Sequence, residues 1–399
     1  MKILMLTPYL GAIYGGTSKV VRELASSLGR LNLSVDIVTT TANDAGSLDV
    51  VTNDWLIQNN HRVHYFPTWH RSDLIFSPTL IRWLNQHLKD YDLVHTHTLF
   101  SPLVTLAHGL CRFHKVPYIM TPHGMLEPWA LSYKAWKKKL YHRAFERFAL
   151  KGASAIHVLA RSEAEHVQAL GNYPTVTVPN GIHPEGFLGD RSPDIFYQQF
   201  PETRDKTLIL FLGRIDPKKG LDLLAPAFAQ AHAKFPNTHL IVAGPDSINF
   251  MPTAKSYFSA TGCLDAVTFT GMLTGDLKQA ALTAADIYAA PSYSEGFSMS
   301  ILEGMASGLP AVITTGCNFP EAATAEAAYV VDISAQAIGN ALIQCLKNEF
   351  LAKALGRRAK KFILQGYTWE QSAKQLNDLY STVIQKERPP TLNATVSIT

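Results

Sequence analysis

Residues 287–314 read IYAAPSYSEGFSMSILEGMASGLPAVIT. The two ends, IYAA and AVIT, are short apolar runs of strand length, and the stretch between them carries the marks of a helix. Ser298 stands at the N-cap position, and Gly308 followed by Pro310 stops the helix. Strand, loop, helix and strand in that order form a β-α-β unit with parallel strands. The loop leaves the backbone N–H groups of Phe297 to Ser300 at the helix start, next to Gly296, and such an end binds phosphate. Glu303 lies about five residues inside the helix, roughly 7 Å along its axis, where it can accept hydrogen bonds from hydroxyls beside a phosphate. Glu295 stays in the loop. A Glu-x7-Glu spacing also arises as ordinary helix surface; what distinguishes this pair is the Gly-flanked loop that opens the helix.

Working outward, the same alternation continues. Thr207–Leu212 (TLILFL), His239–Ala243 (HLIVA) and Val267–Thr270 (VTFT) are strand-like runs separated by longer amphipathic stretches. Nearer the start, Lys2 to Thr7 and Ser34–Thr40 (SVDIVTT) flank Val20, Val21, Leu24, Leu28 and Leu31, which recur at helical spacing. Tyr91–His95, Tyr118–Thr121, Ala155–Val158 and Thr175–Val178 follow. Near-continuous apolar strands alternating with helices indicate parallel sheets buried on both faces. The turn-rich residues 179–206 interrupt the series, and 399 residues exceed what one core holds. The sequence therefore predicts an α/β protein of two doubly wound, Rossmann-like domains facing each other across a cleft. Residues 1–185 form the first, joined by a C-terminal helix over about 370–386; residues 186–369 form the second; 387–399 are a mobile tail. With 47% hydrophobic and 17% charged residues, disordered and fibrous classes are excluded.

Ligands of doubly wound sheets bind beyond the carboxyl ends of the strands. After TLILFL comes the loop Gly213-Arg214-Ile215-Asp216-Pro217-Lys218-Lys219-Gly220. Arg214 offers a planar fork and Lys219 a mobile point charge, a pair suited to a diphosphate and to the charge it develops on leaving. Gly213 and Gly220 let backbone come close, and Lys218 is expected to face solvent. A solvated turn is the alternative for the same residues.

Charge is uneven. Residues 1–185 hold 18 Lys/Arg against 13 Asp/Glu, and the remainder 18 against 19. Residues 133–151 alone hold seven basic residues and one acid, Glu146, so no general nucleic-acid affinity follows. That segment combines its charges with Trp136, Leu140, Phe145 and Phe148, which suits either an interfacial helix on an anionic leaflet or a core-facing stripe beneath a basic face. The four cysteines include no C-x-x-C pair, so neither a disulfide framework nor a thiolate metal site is expected, and a reducing cytoplasm fits. No apolar run reaches the roughly 20 residues of a membrane span. Asp90-Tyr91-Asp92 has the Asp-x-Asp spacing of some metal sites but no further acidic cluster. His95 and His97 share one face of a strand; zinc would need a third ligand that has no suitable spacing, which leaves acceptor-side hydrogen bonding or packing. No metal and no cofactor are expected.

Gly213, Arg214, Lys219 and Gly220, followed by the pattern from Ser294 to Pro310, resemble the retaining glycosyltransferases of family 4. Further matches stand in the family's order along nearly the whole chain: Gly15-Gly16 with Leu24, Ala25 and Leu28; Asp92 to His97; Thr121-Pro-His123-Gly124; Pro179-Asn-Gly181; Phe269-Thr-Gly271; Thr368-Trp369. The resemblance implies a GT-B fold that binds a nucleoside-diphosphate sugar. Arg214 and Lys219 would hold the diphosphate, beside the N–H groups of Phe297 and Ser298 and the Gly15-Gly16 loop. Glu303 would bind the ribose, Glu295 the donor sugar, and the backbone at Met272 after Gly271 the base. His123 would lie beside the anomeric carbon. The implied reaction is metal-independent transfer with retention, and UDP-glucose as donor with a glycan or lipid-linked glycan acceptor is the first expectation, in surface polysaccharide assembly at the cytoplasmic membrane face. An epimerase or phosphorylase on the same plan, or a non-catalytic nucleotide-sugar sensor, is the alternative; the first needs no acceptor, the second exchanges free phosphate, and the third binds without turnover. One departure is Asn32-Leu33 where many relatives have Gly-His, which affects a turn rather than the site.

Overall fold

Along the strand Thr207–Leu212 the side chains alternate between two cores: Leu208, Leu210 and Leu212 join one cluster, Ile209 and Phe211 another. A strand apolar on both faces must be covered on both, which a parallel sheet flanked by crossover helices achieves. The computed structural model describes residues 1–385 except 45, 53, 72–73, 133–134 and 190–191. The expected tail, 387–399, lies outside the described residues. By its contacts the chain divides into two units: Met1–Gly181 together with the chain from Trp369, and Ile182–Thr368.

In the unit Ile182–Thr368, one parallel sheet runs in the order Val267–Gly271, Thr238–Ala243, Thr207–Leu212, Ile287–Ala290, Ala311–Thr314, Tyr329–Val331. Strand order reverses between Thr207–Leu212 and Ile287–Ala290. At such a switch point the loops after the two strands turn to opposite faces and leave a crevice. Those loops are residues 213–220 and 291–298, the two stretches singled out by their chemistry.

The sheet of the other unit runs in the order Thr175–Thr177, Ala155–Val158, Tyr118–Thr121, Leu93–His97, Lys2–Leu6, Ser34–Thr40, His61–Phe66, Trp55–Gln58. All its pairings are parallel except the edge pair Trp55–Gln58 with His61–Phe66. Its switch point lies between Lys2–Leu6 and Leu93–His97. The helix Gly16–Arg30 follows Lys2–Leu6 and buries Val20, Val21, Leu24 and Leu28. It ends in a turn where Asn32 takes φ 62°, a left-handed conformation that Asn tolerates better than most residues with a Cβ. The helix Trp369–Ile384 packs on this unit, burying Leu376 and Tyr380, and Ser372 Oγ donates to Pro179 O at 2.7 Å.

Two differences from the sequence expectation have physical causes. The strand placed at Tyr91–His95 forms at Leu93–His97. Tyr91 and Asp92 are held elsewhere: Tyr91 donates its hydroxyl proton to Asp36 at 2.8 Å, and Asp92 accepts the Lys2 N–H at 2.8 Å. The strand His61–Phe66 was not expected because HRVHYF is broken by polar residues. Arg62 forks onto the buried Asp36 of the neighbouring strand at 2.8 and 2.6 Å, so its charge is satisfied in place.

Candidate active site

At the switch point of the unit Ile182–Thr368, the basic loop and the Glu295 loop meet. Asp216 Oδ1 accepts the Lys218 N–H at 2.9 Å and starts a single 3-10 turn over Pro217–Lys219. Gly220 ends that turn at φ 70°, and a Cβ built on it would lie 2.0 Å from the Pro291 carbonyl oxygen. The two loops therefore touch through a residue that must be glycine. Gly220→Ala is expected to cost more than about 1 kcal/mol from the left-handed φ alone, and the clash adds to it; a lowered urea midpoint for this variant checks it.

Lys219 Nζ donates to Glu295 Oε1 at 2.5 Å, and Ser292 Oγ donates to the same oxygen at 2.7 Å. Glu295 is 8% exposed. Burial alone would raise its pKa, but the ammonium groups of Lys219 and Lys218 and the two hydrogen bonds overcome that and hold it below the ordinary carboxylate range. The Glu295 backbone is fixed too: its N–H donates to Gly316 O at 2.8 Å, and Asn318 Nδ2 donates to its carbonyl at 2.6 Å. Arg214 is exposed, with a guanidinium nitrogen 4.0 Å from Asp216 Oδ2. Lys218 is half-buried rather than solvent-facing, and burial lowers its pKa. Its carbonyl accepts the Tyr293 N–H at 2.9 Å, which draws the residue toward the Glu295 loop.

The helix of the opening stretch spans Met299–Ala306, with Ser298 at its N-cap. The Ser298 side chain does not cap it: Oγ lies 3.1 Å from Ser300 Oγ, which also accepts the hydroxyl proton of the buried Tyr288. Gly296, Phe297 and Ser298 are half-buried, and Phe297 packs edge-on against Phe319. Glu303 is buried and pairs with Lys278 at 2.9 Å. Gly213 donates its N–H to Ala243 O, and Gly271, at φ 71°, accepts from Gly244 N–H at 2.8 Å, leaving the following Met272 56% exposed.

In the other unit, Gly15 (φ 67°) and Gly16 open the helix Gly16–Arg30, and nothing lies within 4 Å of a Cβ built on either. His123 follows the strand Tyr118–Thr121 at φ 53° and is half-buried. Its Nε2 is 3.0 Å from His97 Nδ1. His95 and His97 are both 0% exposed. His95 has both nitrogens engaged, Nδ1 with Tyr380 OH at 2.6 Å and Nε2 with Thr121 Oγ1 at 2.7 Å. Thr121 Oγ1 also reaches His157 Nδ1 at 2.9 Å. Of the two readings the sequence leaves for His95 and His97, acceptor-side hydrogen bonding or packing, their geometry agrees with packing: both rings are enclosed, His95 bonded through both nitrogens and His97 through Nδ1. Burial pushes His123 down to about 3 and His157 to about 4, and His95 and His97 well below 6.5, so all four are neutral imidazoles near pH 7.

Asp90 and Asp92 lie at the amino end of Leu93–His97, the opposite end from these histidines; Asp90 Oδ2 is 3.1 Å from His87 Nδ1. Among the described residues no group of three or more His, Cys, Asp or Glu side chains is placed to share a metal ion. In the basic segment, Trp136, Leu140, Phe145 and Phe148 are 70, 63, 51 and 56% exposed. They do not form a core-facing stripe; Ala149 and Leu150 supply the buried contacts there. Glu146, the segment's single acid, is buried and accepts the Phe100 N–H at 2.8 Å, so the exposed face carries no acid. Tyr133 and Lys134 lie outside the described residues. No described helix is long and apolar enough to cross a membrane.

Reading residue by residue had not assigned Ser292, Asn318 or Lys278, which hold the carboxylate loop and Glu303, nor His157, which stood visible as a polar residue inside the apolar strand AIHV.

Residues 194–362 match the family model of glycosyl transferases group 1, and residues 15–181 that of a glycosyl transferase 4-like domain. The phosphatidyl-myo-inositol mannosyltransferase of Mycobacterium leprae is 26% identical, over 96% of this chain and 97% of that protein. Among solved structures, sucrose-phosphate synthase from Thermosynechococcus elongatus superposes with a TM-score of 0.78 at 20% identity, over 97% of this chain and 100% of that one. Anabaena HepE in complex with UDP-glucose gives 0.75 at 18% identity, over 96% and 100%. These neighbours share the GT-B fold.

Proposed function

From its membership of the glycosyltransferases, carried by the group 1 match of residues 194–362 and the glycosyl transferase 4-like match of residues 15–181, we propose that this protein is a retaining, metal-independent hexosyltransferase whose donor is UDP-glucose and whose acceptor is a glycan carried on a lipid. The observation that carries the donor part is the charge arrangement at the switch point. Glu295 is already neutralised by Lys219, and Asp216, 4.0 Å from Arg214, is the only other acid in residues 213–220 and 291–298 against Arg214 and Lys218, so the two loops together keep a net charge of +1 for a diphosphate. In this reading Arg214 and Lys219 hold the diphosphate with the N–H groups of Phe297 and Ser298, and Gly15-Gly16 gives backbone access. Glu303 takes the ribose hydroxyls, Glu295 the donor sugar, and the backbone at Met272 the base. His123 contacts the sugar. A positive loop and a helix start stabilise the leaving group without a metal. HepE supports glucose and UDP by what its crystals hold, and the Mycobacterium leprae relative, a mannosyltransferase, names the competing sugar.

Titration calorimetry with UDP, GDP and ADP in EDTA tests the reading, followed by UDP-glucose with hydrolysis monitored. UDP is expected to bind without metal. Binding of none until magnesium or manganese is restored would overturn the metal-free mechanism.

Glu303→Ala is expected to weaken nucleotide binding by about 1.5 to 3 kcal/mol, the loss of a charge-assisted pair, while kcat changes less. Lys278→Met, which leaves the carboxylate in place, serves as its control. Unaltered affinity in Glu303→Ala would remove the ribose role.

The exposed aromatic and basic face of residues 136–148 supports docking on the anionic inner leaflet, where a lipid-linked acceptor would be met. Each Lys or Arg near such a surface contributes about 1 kcal/mol. Replacing both exposed lysines, Lys137 and Lys139, by Glu is therefore expected to abolish sedimentation with anionic vesicles. Equal sedimentation with purely zwitterionic vesicles would refute the electrostatic part.

A further inference from the structure

Four imidazoles cluster near the carboxyl ends of neighbouring strands in the unit that contains His123, and the groups around them determine where their protons lie. Val178 offers a carbonyl oxygen, which can only accept, so His157 Nε2, 2.8 Å away, carries a proton. His157 is neutral, so its Nδ1 is bare and the Thr121 hydroxyl donates to it. The Thr121 oxygen then accepts from His95 Nε2–H, and the bare Nδ1 of His95 accepts the Tyr380 hydroxyl proton. One carbonyl orders every proton from Tyr380 to Val178.

The pair formed by His97 and His123 is separate from that chain. His97 Nδ1 and His123 Nε2 lie at 3.0 Å, so one is N–H and the other a lone pair. The His97 ring is wholly buried, and its Nε2 has no hydrogen-bonding partner among the described residues. If His123 donated, the single proton of His97 would be on that Nε2, a buried and unsatisfied N–H. Orphaned N–H groups in protein interiors are rarer than orphaned acceptors. We propose that His97 is a positioning residue that sets the tautomer of His123, donating from its Nδ1 so that His123 keeps its own proton on Nδ1. His123 then meets its ligand as a neutral N–H donor, and its Nε2 is occupied and cannot take a proton from an acceptor hydroxyl. This rests on the proposed sugar contact of His123 only for its consequence in catalysis; the proton assignment stands apart from it.

The test is a long-range 1H–15N correlation spectrum of the full chain labelled at histidine, near pH 7.5, with the four rings assigned through single His→Gln variants. The expected pattern is Nε2–H for His95 and His157, and Nδ1–H for His97 and His123. Wild-type His123 protonated at Nε2, or at both nitrogens, overturns the proposal whatever the variants do. His97→Phe is expected to release His123 into a mixture of tautomers and to lower kcat by about 10- to 100-fold, the loss of one oriented hydrogen bond, with nucleotide affinity unchanged. His97→Asn, whose Nδ2–H can take the place of Nδ1–H, restores both the tautomer and most of the rate. An unaltered His123 signal in His97→Phe refutes the role. Absence of transfer with every donor, together with the expected spectrum, would refute the transferase reading and leave the assignment intact.

Discussion

Lys219→Met is expected to destabilise the protein by about 3 to 5 kcal/mol at neutral pH, the cost of leaving a buried carboxylate without its counter-ion. Glu295 and Lys219 have side chains only 10 and 12% exposed, so water screens the pair weakly. The pH dependence has a definite sign. In the wild type the Glu295 pKa is depressed, so its contribution is present above the ordinary carboxylate range and is lost as pH falls through the lowered value. Without Lys219, burial dominates and the pKa rises, so the variant should recover part of its deficit on acidification below neutrality, whereas the wild type keeps the contribution of the pair until pH falls below the ordinary carboxylate range. Adding Glu295→Gln removes the unpaired charge, and the double variant is expected to regain about 1 to 3 kcal/mol over Lys219→Met. Urea melts between pH 3 and 8 check both statements; parallel pH profiles for Lys219→Met and wild type would show that the pair contributes nothing. Nucleotide binding is lost in the single and the double variant alike, because the cation itself is missing.

That prediction draws on residues of unequal visibility. Arg214, Lys219, Glu295 and Glu303 stand in turns and at a helix start between strands whose apolar runs are plain, so the topology brings their loops to one switch point. Pairing is harder to see. Nothing local tells that Lys219 reaches Glu295 while Lys278, from another helix, takes Glu303, since both choices depend on side-chain reach across loops far apart in sequence. Ser298 is at the N-cap as its type and position indicate, but not legible in the sequence is that its hydroxyl meets Ser300 Oγ, which Tyr288 also bonds, and not a helix N–H. Burial is likewise invisible at Lys218, where composition suggests a solvated lysine and the contact with Tyr293 draws the backbone inward. His95 and His97 were legible as two rings on one face, but not the burial that closes both off from an acceptor.

Glu163 was hidden for a different reason. An acid in the first turn of a helix, as Glu163 is in Arg161–Leu170, reads as a favourable charge on the helix dipole and no more. In the structure it is 0% exposed; Oε1 accepts the Gly124 N–H at 2.6 Å and Oε2 the Leu159 N–H at 2.8 Å. One carboxyl group thus ties the turn after Tyr118–Thr121 to the end of Ala155–Val158. That turn holds His123 at φ 53° and Gly124 at φ 74°, and a left-handed residue with a Cβ costs roughly 1 to 2 kcal/mol. Such a conformation persists only where its surroundings over-determine it.

Glu163→Ala is accordingly expected to cost about 2 to 6 kcal/mol, because two buried N–H groups lose their acceptor at about 1 to 3 kcal/mol each. It should also lower kcat about 100-fold through the misplaced His123 ring, with nucleotide affinity retained. Glu163→Gln keeps the volume but must turn its NH2 toward one of the two amides, so about 1 to 3 kcal/mol is expected. Burial raises the Glu163 pKa to about 7 against the pull of both amides. A raised pKa makes the contribution of its protonated form complete below 4.5 and lost as pH rises through about 7, so wild-type stability should decline across that window and Glu163→Gln should flatten the decline. Stability and transfer kinetics separate two causes of the left-handed turn. If Glu163→Ala loses stability but keeps full kcat, the carboxyl group serves the fold and the His123 conformation is fixed by Gly124 and the His97 contact. Loss of both assigns the orientation of His123 to a side chain that never approaches the substrate.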